Sequence, residues 1–195
     1  MILSMYKLDR NDFSSLKITD LYSIHRIVYD LFPKKEGIPR EFLFADKGGD
    51  WRQRRILILS KESPQIPEYG VLESKKIPET FLQFQNYGFE VVLNPTTREG
   101  ATKKVLPVKG KENLNAWFKR KAEDAGFCID EQKFEISKTG VVVFNKDNAE
   151  CTFNTATFKG TLQVVDKQKF THSFENGIGR GKGFGFGLLQ LVPIN

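Results

Sequence analysis

The sequence predicts an α+β protein built of two small units, each a sheet backed by helices. Three observations carry this expectation. At 195 residues the chain is long for one compact domain and suits two of roughly 100 residues. Segments with strand and helix periodicity alternate, and the order found in the first half recurs in the second. Hydrophobic residues make up 39% of the chain and include 17 Phe, enough apolar side chain for real cores and too much for disorder.

In the first half, Ile2 to Leu8 reads as the opening strand. Thr19 caps a helix from Asp20 to Phe32, which Pro33 closes, and Leu21, Ile24, Val28 and Leu31 form its buried stripe. Strands follow at Arg40 to Ala45 and Arg54 to Ser60, joined through Lys47-Gly48-Gly49-Asp50. The segment containing Pro64, Pro67 and Pro78 supports no helix, and Phe81 to Leu93 is the next strand.

The second half opens with a short strand at Lys104 to Val108. A helix from Glu112 to Ala125 then buries Leu114, Trp117, Phe118 and Ala122, with Gly126 as its stop. Strands at Phe127 to Ile136, Gly140 to Asn145 and Phe153 to Val165 precede a helix from Lys167 to Glu175 and a last strand at Phe186 to Val192. The units are expected at residues 1–95 and 96–195.

Several function classes drop out on composition. No apolar run approaches the ~18 residues of a membrane span, and the opening MILSMYKLDR lacks the layout of a secretory signal, so a cytoplasmic protein is expected. Cys128 and Cys151 are too few for a disulfide framework or a metal knuckle. With His25 and His172 as the only imidazoles, the sequence predicts neither a metal nor another cofactor.

Charge points to a partner. The net charge is +6, and Arg98, Lys103, Lys104, Lys109, Lys111, Lys119, Arg120 and Lys121 stand against only Glu99 and Glu112, an excess equal to that of the whole chain. Such a concentrated segment suits phosphate binding, where released counterions supply most non-specific affinity. A merely solvated face is the alternative.

Two constellations carry candidate chemistry. Advancing 100° per residue from Leu21, the apolar stripe centres near 300°, while His25 falls at about 40°, Tyr29 at about 80°, Tyr22 at about 100° and Arg26 at about 140°. An imidazole, phenols and a guanidinium thus share one flank, able to move protons and hold a phosphate without a metal. They could equally be boundary residues covering the sheet. The second constellation is Gly177-Ile-Gly-Arg-Gly-Lys-Gly-Phe-Gly-Phe-Gly187. It fails as a P-loop because Gly183 follows Lys182, and as a dinucleotide fold because no βαβ unit follows. Lys182-Gly-Phe-Gly-Phe186 partly matches the aromatic strand of RNA-recognition motifs. Gly179, Gly181 and Gly183, flanked by Arg180 and Lys182, could let a phosphate backbone approach the main chain, or could serve packing alone.

Together these residues resemble the CasE family of CRISPR repeat-processing proteins. The likeness runs through Asp20-Leu-Tyr-Ser-Ile-His-Arg26, Phe89-Glu-Val-Val-Leu-Asn-Pro95, Lys103 to Phe127 with Ala116-Trp117, Phe158-Lys-Gly-Thr-Leu-Gln-Val-Val-Asp166, and the C-terminal glycine loop with Gly185-Phe-Gly-Leu-Leu. The Pro-rich middle and Lys133 to Asn154 lie outside it, and Arg180 stands where the family's loop usually carries Pro. The resemblance implies tandem ferredoxin-like (RRM-like) domains and metal-independent endoribonuclease activity on CRISPR repeat hairpin RNA. It further implies retention of the product beside other subunits of a Cascade complex, with Tyr22 and His25 as catalytic residues. Arg26, Arg98, Lys103, Lys104, Lys109 and the loop from Gly179 to Gly183 are the expected RNA contacts. A non-cleaving RNA-binding or scaffold subunit is the competing expectation.

Overall fold

The structure, a computed structural model, describes residues 1–33, 37, 40–50, 52–100, 102–146 and 149–194. Strand β1 (Ile2–Asp9) turns Ser4, Tyr6 and Leu8 inward in strict alternation, the period of a half-buried strand. It lies antiparallel between β3 (Gln53–Ser60) and β4 (Val71–Lys76), and β2 (Phe42–Gly49) completes a sheet of order β2-β3-β1-β4. A short helix α1 (Arg10–Ser15) follows β1, and α2 (Leu21–Tyr29) crosses over to β2. Ile24, Ile27 and Val28 of α2 bury against Tyr6, Leu8, Phe42, Phe44, Ile56 and Ile58.

The cap of α2 is Asp20 rather than Thr19. Its carboxylate accepts from the Ser23 amide at 2.8 Å while the Asp20 amide donates to Ser23 Oγ at 2.9 Å, a reciprocal box that satisfies otherwise orphaned amides. Beyond Tyr29 the chain continues to Phe32 in tighter turns, through bonds from Leu31 to Val28 and Phe32 to Tyr29.

The second sheet has order β11-β5-β10-β8, formed by β5 (Asn86–Leu93), β8 (Phe127–Ile129), β10 (Ala149–Val164) and β11 (Gln190–Ile194). Between β5 and β8 the chain forms a two-stranded hairpin, β6 (Thr96–Arg98) with β7 (Val105–Pro107), then α3 (Lys111–Asp124). Helix α4 (Lys167–Asn176) joins β10 to β11. In both sheets a unit's own strands run fourth, first, third, second, all antiparallel, which is the ferredoxin-like arrangement in tandem.

Four differences from the expected layout have physical causes. Strand β5 pairs with β10 and β11, so the sheets divide between Lys76 and Asn86, upstream of the boundary expected after residue 95. Residues Glu79–Leu82 form a 3-10 turn, which shortens the strand expected from Phe81. The expected Phe127 to Ile136 strand is broken where Asp130 Oδ1 accepts from the Gln132 amide at 3.0 Å, and β9 (Glu135–Lys146) starts afresh. It forms a long hairpin with the first half of β10. Lastly, the final strand begins at Gln190, because the glycine loop before it carries backbone conformations that no strand accepts.

The sheets bury separate cores. A third cluster of Leu43, Ala45, Leu59, Phe174 and Leu188 joins the outer face of the first sheet to α4 and the glycine loop. This docking fixes the loop against the first unit.

Candidate active site

His25 lies half-buried on α2, facing the C-terminal loop. Its Nδ1 donates to the carbonyl oxygen of Gly183 at 2.6 Å, which selects the Nδ1-protonated neutral tautomer and leaves the lone pair of Nε2 for other partners. The carbonyl is presented by a 3-10 turn, Lys182–Phe184, flanked by Gly181 at φ +79° and Gly185 at φ +84°. Both are left-handed positions that suit glycine.

Aromatic rings hold the imidazole in place. Tyr29 packs at 4.0 Å between centroids, Phe184 stacks at 5.0 Å and Tyr22 at 5.4 Å. Tyr22 in turn stacks on Phe144 of β9 at 6.1 Å, and Phe144 and Phe153 meet Phe184 at 4.9 and 5.2 Å. Helix α2, the β9–β10 hairpin and the glycine loop therefore converge on one ring. Burial pushes the imidazole below its ordinary pKa; the Gly183 bond and Asp30 oppose this, while Lys146 and Arg40 reinforce it. The net result is a neutral imidazole near neutral pH, the form able to accept a proton.

The other expected residues do not gather in one place. Arg26 is exposed with its guanidinium 5.8 Å from the Tyr22 ring centroid, so it stays with the His25 flank. Lys182 donates to the Asn176 carbonyl at 2.8 Å, and burial followed by repulsion from Arg40 holds its ammonium below the usual range. Arg98, Gly179 and Arg180 meet in a cleft of about 490 Å³ that Asn94, Trp117 and Lys121 also line. Lys103 and Lys104 are exposed at the end of the β6–β7 hairpin, and Lys109 lines a separate cleft with Thr139, Gly140 and Asn154. Two further cations of the basic segment are engaged in ion pairs, Lys119 with Glu131 at 2.6 Å and Lys121 with Asp124 at 2.9 Å.

Gly181 has a packing role that the sequence left open. A Cβ there would sit 2.8 Å from the Phe186 ring and 3.2 Å from Phe153. Gly183 differs: its φ is outside the left-handed region, and a Cβ would approach Arg40 Nη1 at 3.1 Å and the Tyr29 hydroxyl at 3.2 Å. The match of Lys182 to Phe186 with an aromatic RNA-binding strand does not survive, since Lys182–Phe184 is a turn and Phe186 is buried.

Sequence reasoning missed Arg40, Phe144 and Lys146. Arg40 precedes β2, where its Nη1 donates to the Tyr29 hydroxyl at 3.1 Å. Helical spacing cannot link it to α2, and only the sheet brings them together. Among the described residues, no three His, Cys, Asp or Glu side chains are grouped to hold a metal ion.

Comparison with known proteins bears on the family and the fold. A family profile described as "CRISPR associated protein" matches residues 1–193. The CRISPR system Cascade subunit CasE of Escherichia coli (strain K12) is 27% identical over 188 residues, covering 90% of this chain and 93% of that protein. The CRISPR-associated endoribonuclease Cse3 of Thermus thermophilus is 29% identical over 119 residues, a match that spans only 56% of either chain. Among solved structures, Thermus thermophilus Cse3 bound to an RNA representing a pre-cleavage complex superposes with a TM-score of 0.83 at 22% identity, covering 98% of both chains. At that identity the likeness is one of fold.

Proposed function

The chain belongs to the CRISPR associated protein family matched over residues 1–193, and from that membership we propose that it is the endoribonuclease that processes CRISPR repeat RNA. It cuts the repeat hairpin of the precursor and keeps the product as a subunit of a Cascade complex. The relatives' names support both parts: one is an endoribonuclease and the other a Cascade subunit. No helix among the described residues is long and apolar enough to cross a membrane, and we assign the work to the cytoplasm, where the transcript is made.

Tyr22 and His25 carry the chemistry. The 2'-oxygen upstream of the cut attacks phosphorus and the bond to the 5'-oxygen breaks, leaving a 2',3'-cyclic phosphate and a 5'-hydroxyl. The 2'-hydroxyl proton goes to His25 Nε2, and the leaving 5'-oxygen takes its proton from water. The observation that carries this reading is the bond from His25 Nδ1 to the Gly183 carbonyl, which orients a neutral ring so that Nε2 can take the 2'-hydroxyl proton. Tyr22, stacked on His25, holds its phenol beside the same phosphate. The nucleophile is the RNA's own hydroxyl, so the step needs no metal.

Arg26, Lys182 and the backbone at Gly183 border the scissile position. Arg98 and Arg180, with Gly179, continue the cationic path along the loop, and Lys103, Lys104 and Lys109 extend it over the second unit. Gly181 shapes the turn. The catalytic helix comes from the N-terminal unit, and the basic segment and glycine loop from the C-terminal one.

Single-turnover assays on a repeat hairpin in EDTA test the proposal. Cleavage with a cyclic phosphate end is expected, and tight binding without cleavage would leave a scaffold subunit.

A further inference from the structure

The groups that shift His25 are predominantly cationic. Arg40 and Lys146 both act on the imidazole, Lys182 feels Arg40 through a half-buried space, and Asp30 is the one acid among the groups that shift His25. Arg40 is partly buried, its Nε has no hydrogen-bond partner and is shut away from solvent, and its guanidinium packs 5.7 Å from the Phe42 ring centroid. A guanidinium in such a place is costly unless an anion compensates it. Its position is also specific. Nη1 lies 3.1 Å from where a Gly183 Cβ would stand, on the residue whose carbonyl orients His25.

We propose that Arg40 is a further catalytic residue, whose guanidinium binds a non-bridging oxygen of the scissile phosphate and stabilises the charge gathering there during attack by the 2'-oxygen. This rests on the reading of His25 as the proton-transfer group. The chemistry fits a phosphodiester: the attacked phosphate gains negative charge on its equatorial oxygens, and a planar, permanently charged fork held by Tyr29 needs no reorganisation to meet it. Lys182, with its ammonium engaged by the Asn176 carbonyl, adds field rather than a second fork.

The competing role for Arg40 is structural, holding the Tyr29 hydroxyl at 3.1 Å. Single-turnover cleavage by wild type, Arg40→Gln, Arg40→Lys, Tyr29→Phe and His25→Ala separates the two, using hairpins with an oxygen or either phosphorothioate diastereomer at the cut. Arg40→Gln should bind hairpin within a few-fold of wild type and cleave about 100-fold or more slowly, the usual worth of a transition-state donor. Wild type should discriminate between the diastereomers, and Arg40→Gln should lose that preference. Tyr29→Phe should keep the preference with a smaller loss of rate. Arg40→Lys preserves charge; it should cleave faster than Arg40→Gln with an altered preference, and it decides the matter if Arg40→Gln melts early.

Cleavage by Arg40→Gln within a few-fold of wild type, or an unchanged diastereomer preference in both Arg40 variants, overturns the proposal. So does a loss in Tyr29→Phe equal to that in Arg40→Gln. Undiminished cleavage by His25→Ala would instead sink the reading of the site itself, a result the Arg40 variants cannot mimic.

Discussion

His25 Nδ1 and the carbonyl oxygen of Gly183 stand 2.6 Å apart although 158 positions separate them in the chain. The bond joins the helix of the first unit to the turn of the second. The site is therefore composite: neither unit alone orients the imidazole, and the cluster of Leu43, Leu59, Phe174 and Leu188 that docks the units is part of what sets the ring.

A pH profile follows from this setting. Burial first, then Lys146 and Arg40, lower the His25 pKa, while Gly183 and Asp30 work the other way and are outweighed. The acidic limb of the cleavage profile should then have its midpoint below the ordinary value of about 6.5, with the rate flat above it until another group titrates. Stability has the same sign. With the folded pKa below the unfolded one, the unfolded state binds more protons between the two values, so the His25 contribution is fully present above about 6.5 and lost as pH falls through the folded value. NMR titration of the His25 ring in free protein checks the shift; a midpoint above 6.5 would contradict it.

His25→Ala should leave hairpin affinity within a few-fold of wild type and slow cleavage by about 100-fold or more, the usual worth of general acid-base catalysis. Tyr22→Phe should cost less if the phenol orients the phosphate. The reverse ranking would make Tyr22 the principal proton-transfer group. Wild type should also fail on a hairpin with one 2'-deoxy nucleotide just upstream of the cut, and cleavage of that substrate would refute internal attack.

Gly181→Val and Gly183→Ala should separate packing from chemistry. At φ +79° with Phe186 2.8 Å from a Cβ, Gly181→Val imposes left-handed strain and a clash, worth about 1–3 kcal/mol from strain alone, and should lower the melting temperature by several degrees. Gly183→Ala meets only Arg40 Nη1 and the Tyr29 hydroxyl, so it should melt near wild type yet cleave more slowly. Equal melting shifts in thermal scans would count against the distinction.

How much the sequence disclosed depended on whether a feature was local. Most of the α2 stripe and the buried face of α3 were legible because 3.6-residue spacing is a property of one segment: Ile24, Val28 and Leu31 are buried as expected, though Leu21 is only partly so and buried Ile27 was not named, and Leu114, Trp117, Phe118 and Ala122 are all buried. Strand β4 went unseen because it is an edge strand with Lys75 and Lys76 and almost no buried side chain. Helix α1 went unseen because it has one turn and a half with a single apolar residue, Phe13, only partly buried against the core, and its start is fixed by a capping box between Asp9 and Asp12. Strand β5 was found, but nothing in Asn86 to Leu93 says which sheet it joins; that is settled by β10 and β11, far along the chain. The flank holding Tyr22 and His25 was visible for the same local reason, whereas Arg40 and Phe144 reach that flank only through the sheets.

The salt dependence of RNA binding offers the broadest check on the surface. Lys103 and Lys104 are exposed at the end of a hairpin whose strands pair with neither larger sheet, so substitution of their side chains should disturb little of the fold. If each neutralises one phosphate, Lys103→Glu with Lys104→Glu should weaken binding to every hairpin alike and reduce the slope of log K against log salt by about 2, roughly one for each phosphate no longer neutralised. Cleavage of bound RNA should be unaffected, because neither residue is among the groups packed on His25 or shifting its pKa. Filter binding across a salt series, paired with single-turnover rates at saturating protein, reads both quantities. An unchanged slope would move the RNA path off this hairpin and toward Arg52, Arg54 and Arg55 around the start of β3.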